Sequence, residues 1–335
     1  MKKLLEVYFN NEIIFPYMYL EDIYEQHAQF RDANIYMVML AEKYQVLSAK
    51  FINQRLVIIY ECLESKARYE VSNIVLFNFF IPDNLVSIKI CDYGIAIEIN
   101  ISENGIEFIK RNYKITVGKK TKISVYDLIN MSNNSIETFE TYEVLYIGQS
   151  FNSGKGRTIF DRLSTHEKIL KIYREYNIKY RDKELVIFLL HSKSKLHTMV
   201  NPNVLTKVCL GNSYWQTTDE VGEKITDATV TNIIEAMLIY HFKPEYNIKL
   251  KNSIPNLDIK TYSELKNAGV HEIQVGLNLY FEPNKNCIQL FTKTVNVISK
   301  LRILKCSLEN LYNKKHSSEI KIEDIDGELY RILNL

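Results

Sequence analysis

Apolar positions along the first third of the chain alternate with a period of two. Residues 51–60, 74–81, 85–90 and 95–101 are short runs dense in Ile, Val, Phe and Tyr, with Pro82-Asp83-Asn84, Asp92-Tyr93-Gly94 and Glu103-Asn104-Gly105 as turns between them. The run Ile95-Ala96-Ile97-Glu98-Ile99-Asn100-Ile101 alternates cleanly, as a sheet with one wet face requires. The pattern then changes. Residues 123–130 and 142–147 predict two strands of a hairpin across Met131-Ser132-Asn133-Asn134-Ser135. A loop over 150–156 leads into a helix from 158 to 176, with Ile159, Leu163, Leu170 and Tyr173 on one stripe. Residues 185–190 predict a third strand, 191–226 a polar excursion, and 227–242 a second helix that stops before Pro244. Beyond it, 272–281 and 287–292 predict a hairpin, and 294–312 an amphipathic helix.

This succession predicts an α+β protein: a β-rich domain over 1–120, a small antiparallel sheet with helices over 121–255, and an α+β extension over 256–335. A chain of 335 residues is long enough for such a division.

Composition narrows the function classes. An apolar fraction of 46% and a charged fraction of 24% are globular values, which excludes wholesale disorder. With 42 basic and 40 acidic side chains there is no generally basic coat, so a nucleic-acid site must be local. Residues 141–251 carry the basic excess, sixteen Lys and Arg against twelve Asp and Glu. Cys62, Cys91, Cys209, Cys287 and Cys306 are odd in number and lack knuckle spacing, so buried thiols in a reducing cytoplasm are expected. Glu6, Asn10, Asn11 and Glu12 interrupt the start before a leader can form. The expected location is the cytoplasm, with no membrane partner.

Three strings carry candidate chemistry. Leu145-Tyr146-Ile147-Gly148-Gln149-Ser150 ends a strand, and its glycine permits close approach. In Arg162-Leu163-Ser164-Thr165-His166 a guanidinium and an imidazole stand four residues apart on a helix, an arrangement suited to an anion or a proton transfer. Two solvated side chains on a wet face satisfy the same spacing. Glu235 lies among Ile234, Leu238 and Ile239, so its carboxylate loses hydration unless a cation or donor compensates, whether a divalent metal or a basic side chain. His191 and His197 flank Lys193 and Lys195 without a further metal ligand, and read as an exposed loop. Trp215 reads as part of a small local core.

In combination these strings resemble the GIY-YIG nuclease superfamily over about 121–255: strand Tyr-Ile-Gly, helix Arg-x3-His, strand, helix Glu, then Pro244-x-x-Asn247. The resemblance implies hydrolysis of a phosphodiester, in DNA before RNA, with one Mg²⁺ or Mn²⁺. It makes Tyr146 the tyrosine of the second signature, Arg162 the contact to the scissile phosphate, His166 its neighbour one turn on, Glu235 the metal ligand and Asn247 a supporting residue at the nucleic-acid site. Gln149 joins the residues expected at the nucleic acid. Ser124-Val125-Tyr126 stands in for the first signature, which makes Tyr126 the other catalytic tyrosine, separated from Tyr146 by a long interval. Lys155 and Arg157, in the loop before the helix arginine, are candidate phosphate contacts. The resemblance extends to restriction or phage defence, with a homodimer or a partner protein held through the β-rich flanks. A second reading keeps the fold but not the cleavage, leaving a nucleic-acid-binding or assembly protein.

Overall fold

The computed structural model describes residues 3–26, 30–75, 81–91, 94–99, 120–130, 140–150, 158–199, 215–218, 225–251, 260–281, 286–299, 301–308 and 322–326. Within them the fold is mixed, mostly sheet with few helices. The strands are β1 (Lys3–Pro16), β2 (Ile35–Glu42), β3 (Tyr44–Ile52), β4 (Arg55–Cys62), β5 (Arg68–Ile74), β6 (Val86–Cys91), β7 (Gly94–Ile99), β8 (Lys120–Ser124) and β9 (Glu140–Gln149). They continue as β10 (Lys183–Met199), β11 (Trp215–Thr218), β12 (Val270–Asn278), β13 (Tyr280–Phe281), β14 (Asn286–Phe291), β15 (Ile298–Ser299), β16 (Leu301–Ser307) and β17 (Ile322–Asp326). The helices are α1 (Leu20–Gln26), α2 (Val125–Asn130), α3 (Ile159–Thr165), α4 (Glu167–Lys179), α5 (Asp227–Phe242) and α6 (Lys260–Ala268).

One large sheet organises these elements, in the order β13-β14-β9-β2-β10-β1-β12-β16-β17, with β11 on β10 and β15 on β14. β2 lies near its middle, antiparallel to β9 on one side and to β10 on the other. Its sequence Ile-Tyr-Met-Val-Met-Leu-Ala is buried throughout, because both faces of this strand are covered. On one face Tyr36, Val38, Leu145, Tyr146, Ile187 and Leu189 pack with α1, α3 and α4. On the other, Ile35, Met37, Met39, Ile147, Phe188 and Leu190 pack with α5, α2 and the smaller sheets.

Two three-stranded antiparallel sheets, β3-β4-β5 and β6-β7-β8, stand in the chain between β2 and β9. β3 and β4 join through Asn53 and Gln54, both at positive φ, as a two-residue hairpin turn needs. The Asp83 carboxylate accepts from both of their backbone N–H groups, at 2.8 and 3.3 Å.

Several sequence expectations are corrected. No domain boundary falls at 120, since β1 and β2 belong to the same sheet as β9, β10 and β12. Likewise 256–335 is no separate extension: β12 is parallel to β1, and β14 is parallel to β9. The strand expected over 123–130 ends at Ser124. Ile123, Val125 and Ile129 fit alternation, but Val125, Leu128 and Ile129 also stand at helical i, i+3, i+4 spacing, and tertiary packing buries them as a helix. β8 accordingly pairs with β7, and β9 with β2, so the expected hairpin is not made. The helix over 158–176 is broken at His166, whose ψ of 111° is extended. The excursion over 191–226 begins as strand: β10 runs to Met199 and pairs with β11. In the C-terminal hairpin only β13 and β14 pair, while β12 lies between β1 and β16. Within 294–312 the described elements are the strands Ile298–Ser299 and Leu301–Ser307, and Leu304 and Cys306 face the core.

Candidate active site

Four elements meet at one pole of the sheet, where β2 begins and β9 ends. Tyr36 and Gly148 are register partners, and Tyr36 is opposite Leu189 on the other side. The Tyr36 and Tyr146 rings lie 6.1 Å apart, tilted by 43°. Gly148 makes this possible: a Cβ there would stand 2.5 Å from Cζ of Tyr36. The Tyr36 side chain is fully buried, and its hydroxyl has no hydrogen bond of good geometry, with the Arg162 guanidinium and the Tyr146 phenol as polar neighbours. Burial and the adjacent Tyr146 raise the Tyr36 phenol well above its ordinary value, and Arg162 opposes that shift. Burial likewise raises Tyr146, reinforced by the Glu235 charge and opposed by Arg162.

α3 presents Arg162. Its start is closed by a capping box, in which Asp161 accepts from the Thr158 backbone N–H at 2.7 Å and donates its own N–H to Thr158 Oγ1 at 3.2 Å. Its end is closed by Tyr17, whose hydroxyl donates to the Leu163 carbonyl at 3.1 Å. Ile159, Phe160 and Leu163 bury the opposite face, so Arg162 points outward. The chain then turns at His166 and restarts as α4. This break carries the imidazole to within 5.7 Å of the Tyr146 ring, centroid to centroid. Burial, Arg162 and Lys168 together hold His166 below the usual imidazole value, which keeps it neutral at pH 7. Lys168 lies over the Tyr146 ring at 5.6 Å.

α5 brings Glu235. Thr226 caps this helix, and Glu264 of α6 accepts from the hydroxyls of Thr226 and Thr229 at 2.9 and 2.6 Å. Apolar side chains surround most of the helix, so the Glu235 carboxylate is largely desolvated. Burial pushes its pKa up to about 7; Arg162, the Gln149 backbone N–H and Lys168 act against the shift. A carboxylate so placed has one backbone donor and Arg162 and Lys168 as neighbouring cations, and a further cation would favour its charged form. Among the described residues no group of three or more His, Cys, Asp and Glu is arranged to hold a metal ion. Glu235 is the one described carboxylate at this pole that could hold a divalent ion.

Tyr146, Arg162, His166 and Glu235 are thus brought together. Tyr126 is not. It lies 2% exposed in the core on the opposite face of the sheet, and its hydroxyl donates to the Glu42 carbonyl at 2.7 Å. The phenol beside Tyr146 is Tyr36, which sequence reasoning missed. The signal was Asn34-Ile35-Tyr36 at the head of an apolar strand, hidden by the long segment that separates it from Tyr146. Lys168 was missed too; only the helix break places it at the site.

Asn247 is corrected from a nucleic-acid contact to a brace. It is buried, accepts from the Ile147 N–H at 2.9 Å and donates to the Ile147 carbonyl at 2.8 Å. Tyr246 N–H also bonds the Leu145 carbonyl at 3.0 Å, so this segment closes the free edge of β9 at the signature. The Gln149 amide donates to Asn232 of α5 at 2.7 Å and ties the strand end to the helix that carries Glu235. Lys155 and Arg157 lie outside the described residues. Asn34 pins the other strand: its amide donates to Ser192 and Thr231 hydroxyls at 2.7 and 3.1 Å.

No described helix is long and apolar enough to cross a membrane. No family model matches the chain, and no curated protein or solved structure matches it.

Proposed function

We propose that the chain is a metal-dependent endonuclease of GIY-YIG type, hydrolysing phosphodiester bonds of nucleic acid, with DNA the favoured substrate. The observation that carries this reading is the convergence of Tyr36, Tyr146, Arg162 and Glu235, from β2, β9, α3 and α5, at one pole of the sheet. Tyr36 replaces Tyr126 as the first-signature tyrosine, and an Asn-Ile-Tyr string replaces Gly-Ile-Tyr.

The residues divide the work by their chemistry. Both phenols are held above their ordinary values, so they stay protonated at neutral pH and donate hydrogen bonds to phosphate oxygens. His166 is neutral and serves as the base for the attacking water. Arg162 balances charge on the phosphorane, with Lys168 beside it. Glu235 would hold Mg²⁺ or Mn²⁺; such an ion, when bound, supplies Lewis-acid stabilisation of the leaving oxygen.

The test is nicking of supercoiled plasmid by purified protein with Mg²⁺. The expected result is nicking that EDTA stops and that Arg162→Ala lowers by at least about a hundredfold. Nicking that survives both would refute the assignment.

A further inference from the structure

Beyond the helices, the odd-numbered positions of β10 from His191 to His197 are half-exposed or exposed. On β10 the odd-numbered side chains Leu185, Ile187 and Leu189 pack under α3 and α4, while Val186, Phe188, Leu190 and Leu196 enter the core on the opposite side. The same alternation runs on past the helices. Ser192 and Leu196 are buried, whereas Lys193 and Lys195 are exposed, and His191 and His197 half-exposed. His191, Lys193, Lys195 and His197 therefore form a ladder on the face that carries Tyr36 and Tyr146.

Register fixes where the ladder starts. Leu189 is opposite Tyr36, which is opposite Gly148, so these three make one row across the sheet at the site. His191 is the next odd position outward, and its Nδ1 is buried without a hydrogen-bond partner. Lys193 and Lys195 follow at steps of about 6.6 to 6.8 Å along the strand. That step is comparable to the separation of successive phosphates in an extended nucleic-acid strand.

The other side of this surface is β1, where Tyr8 is opposite Lys193, and Glu6 is opposite Lys195. Lys195 lies 5.2 Å over the Tyr8 ring, which holds the ammonium near the sheet. Of the carboxylates on this face, Glu6 pairs with His197 at 2.8 Å and Glu272 with Lys305 at 3.2 Å, while Glu323 stands opposite Lys305, away from β10. Among the described residues no carboxylate pairs with Lys193 or Lys195. Alternate exposed cations along a strand gain little for folding, since exposed charges stabilise weakly. They do suit a linear polyanion laid along the strand.

We propose that the His191-Lys193-Lys195 face of β10, with Tyr8, is the track along which the phosphate backbone of the nucleic acid leaves the active site. The inference rests on the nuclease reading for the identity of the polyanion. The ladder sets the direction of the bound strand, along β10 away from the Tyr36–Gly148 row, and contacts backbone rather than bases, so it confers affinity without sequence preference.

The test is fluorescence anisotropy of fluorescein-labelled DNA, single-stranded and duplex, with the wild-type chain in EDTA across a series of salt concentrations. The Lys193→Glu/Lys195→Glu variant should bind at least about tenfold more weakly. The gentler Lys193→Met/Lys195→Met variant should lower the slope of log affinity against log salt by roughly 1.4 to 1.8, two contacts' worth. Unchanged thermal midpoints would show that both variants fold, as expected of exposed positions. Unchanged affinity and slope in both variants overturn the track, even if wild type cleaves DNA. Weakened binding by both, in a protein that cuts no nucleic acid with Mg²⁺, keeps the track and removes the nuclease reading. Absence of DNA binding by the wild type overturns the track.

Discussion

A Cβ on Gly148 would stand 2.4 Å from the Tyr36 hydroxyl oxygen and 3.0 Å from Cε1 of Tyr146. The glycine is the floor on which two phenols from distant parts of the chain rest. Its absent side chain is the space that the Tyr36 ring fills.

Gly148→Ala must move Tyr36, because ring atoms and not a flexible side-chain end occupy the Cβ position. Overpacking of this kind costs about 1 to 3 kcal/mol. The expected outcome is a lowered urea midpoint together with loss of nicking. An alanine variant with wild-type stability and activity would show that the two phenols are not confined as described.

Tyr36→Phe and Tyr126→Phe separate the two candidate tyrosines. Tyr36→Phe should reduce cleavage by about a hundredfold or more while the fold persists. Tyr126→Phe removes a hydrogen bond to the Glu42 carbonyl and should cost roughly 1 kcal/mol of stability, with cleavage retained. Single-turnover cleavage and urea denaturation read the two effects. The reverse pattern would restore Tyr126 to the site.

Much of the site was legible as local strings. Tyr146-Ile147-Gly148 ends an apolar strand, and Glu235 interrupts an apolar helix; both positions hold in the structure. The partner phenol was not legible, because the chain runs through two small sheets between β2 and β9 before the pairing closes. Local pattern cannot measure so long a loop. The apolar positions from Ile123 to Ile129 show a second limit: a short run fits both periods, and packing decides. The joining of 1–42 to the later strands was hidden for a related reason, since β1 pairs with β10 and β12 across most of the chain.

Asn247→Ala leaves the Ile147 N–H and carbonyl without their buried partner. An unsatisfied buried group costs about 1 to 3 kcal/mol. The expected outcome is a lower thermal midpoint and faster amide exchange at Ile147, with nucleic-acid affinity in EDTA unchanged. Loss of affinity at full stability would instead make Asn247 a direct contact.

Glu235 gives a pH signature independent of substrate. Its folded pKa, about 7, lies above that of an unfolded glutamate. Below the ordinary carboxylate range both states are protonated and the penalty is absent. As pH rises toward 7 the unfolded state ionises first, so stability falls across that window and levels off above it. In EDTA the wild type should lose on the order of 1 to 3 kcal/mol between about pH 5 and pH 8 through this group. Glu235→Gln should flatten that part of the curve, and Mg²⁺ should restore wild-type stability at pH 8. Identical pH profiles for the two proteins in urea denaturation would contradict the burial of this carboxylate.

The most direct measurement compares wild type with Glu235→Gln in Mg²⁺-dependent cleavage of end-labelled duplex DNA, single-stranded DNA and RNA under single-turnover conditions. The predicted result is cleavage of at least one of these by wild type, and none by a Glu235→Gln protein that still binds the same substrate. Equal cleavage by both proteins, or none by wild type on any of the three, would contradict the claim that these converging side chains hydrolyse phosphodiesters.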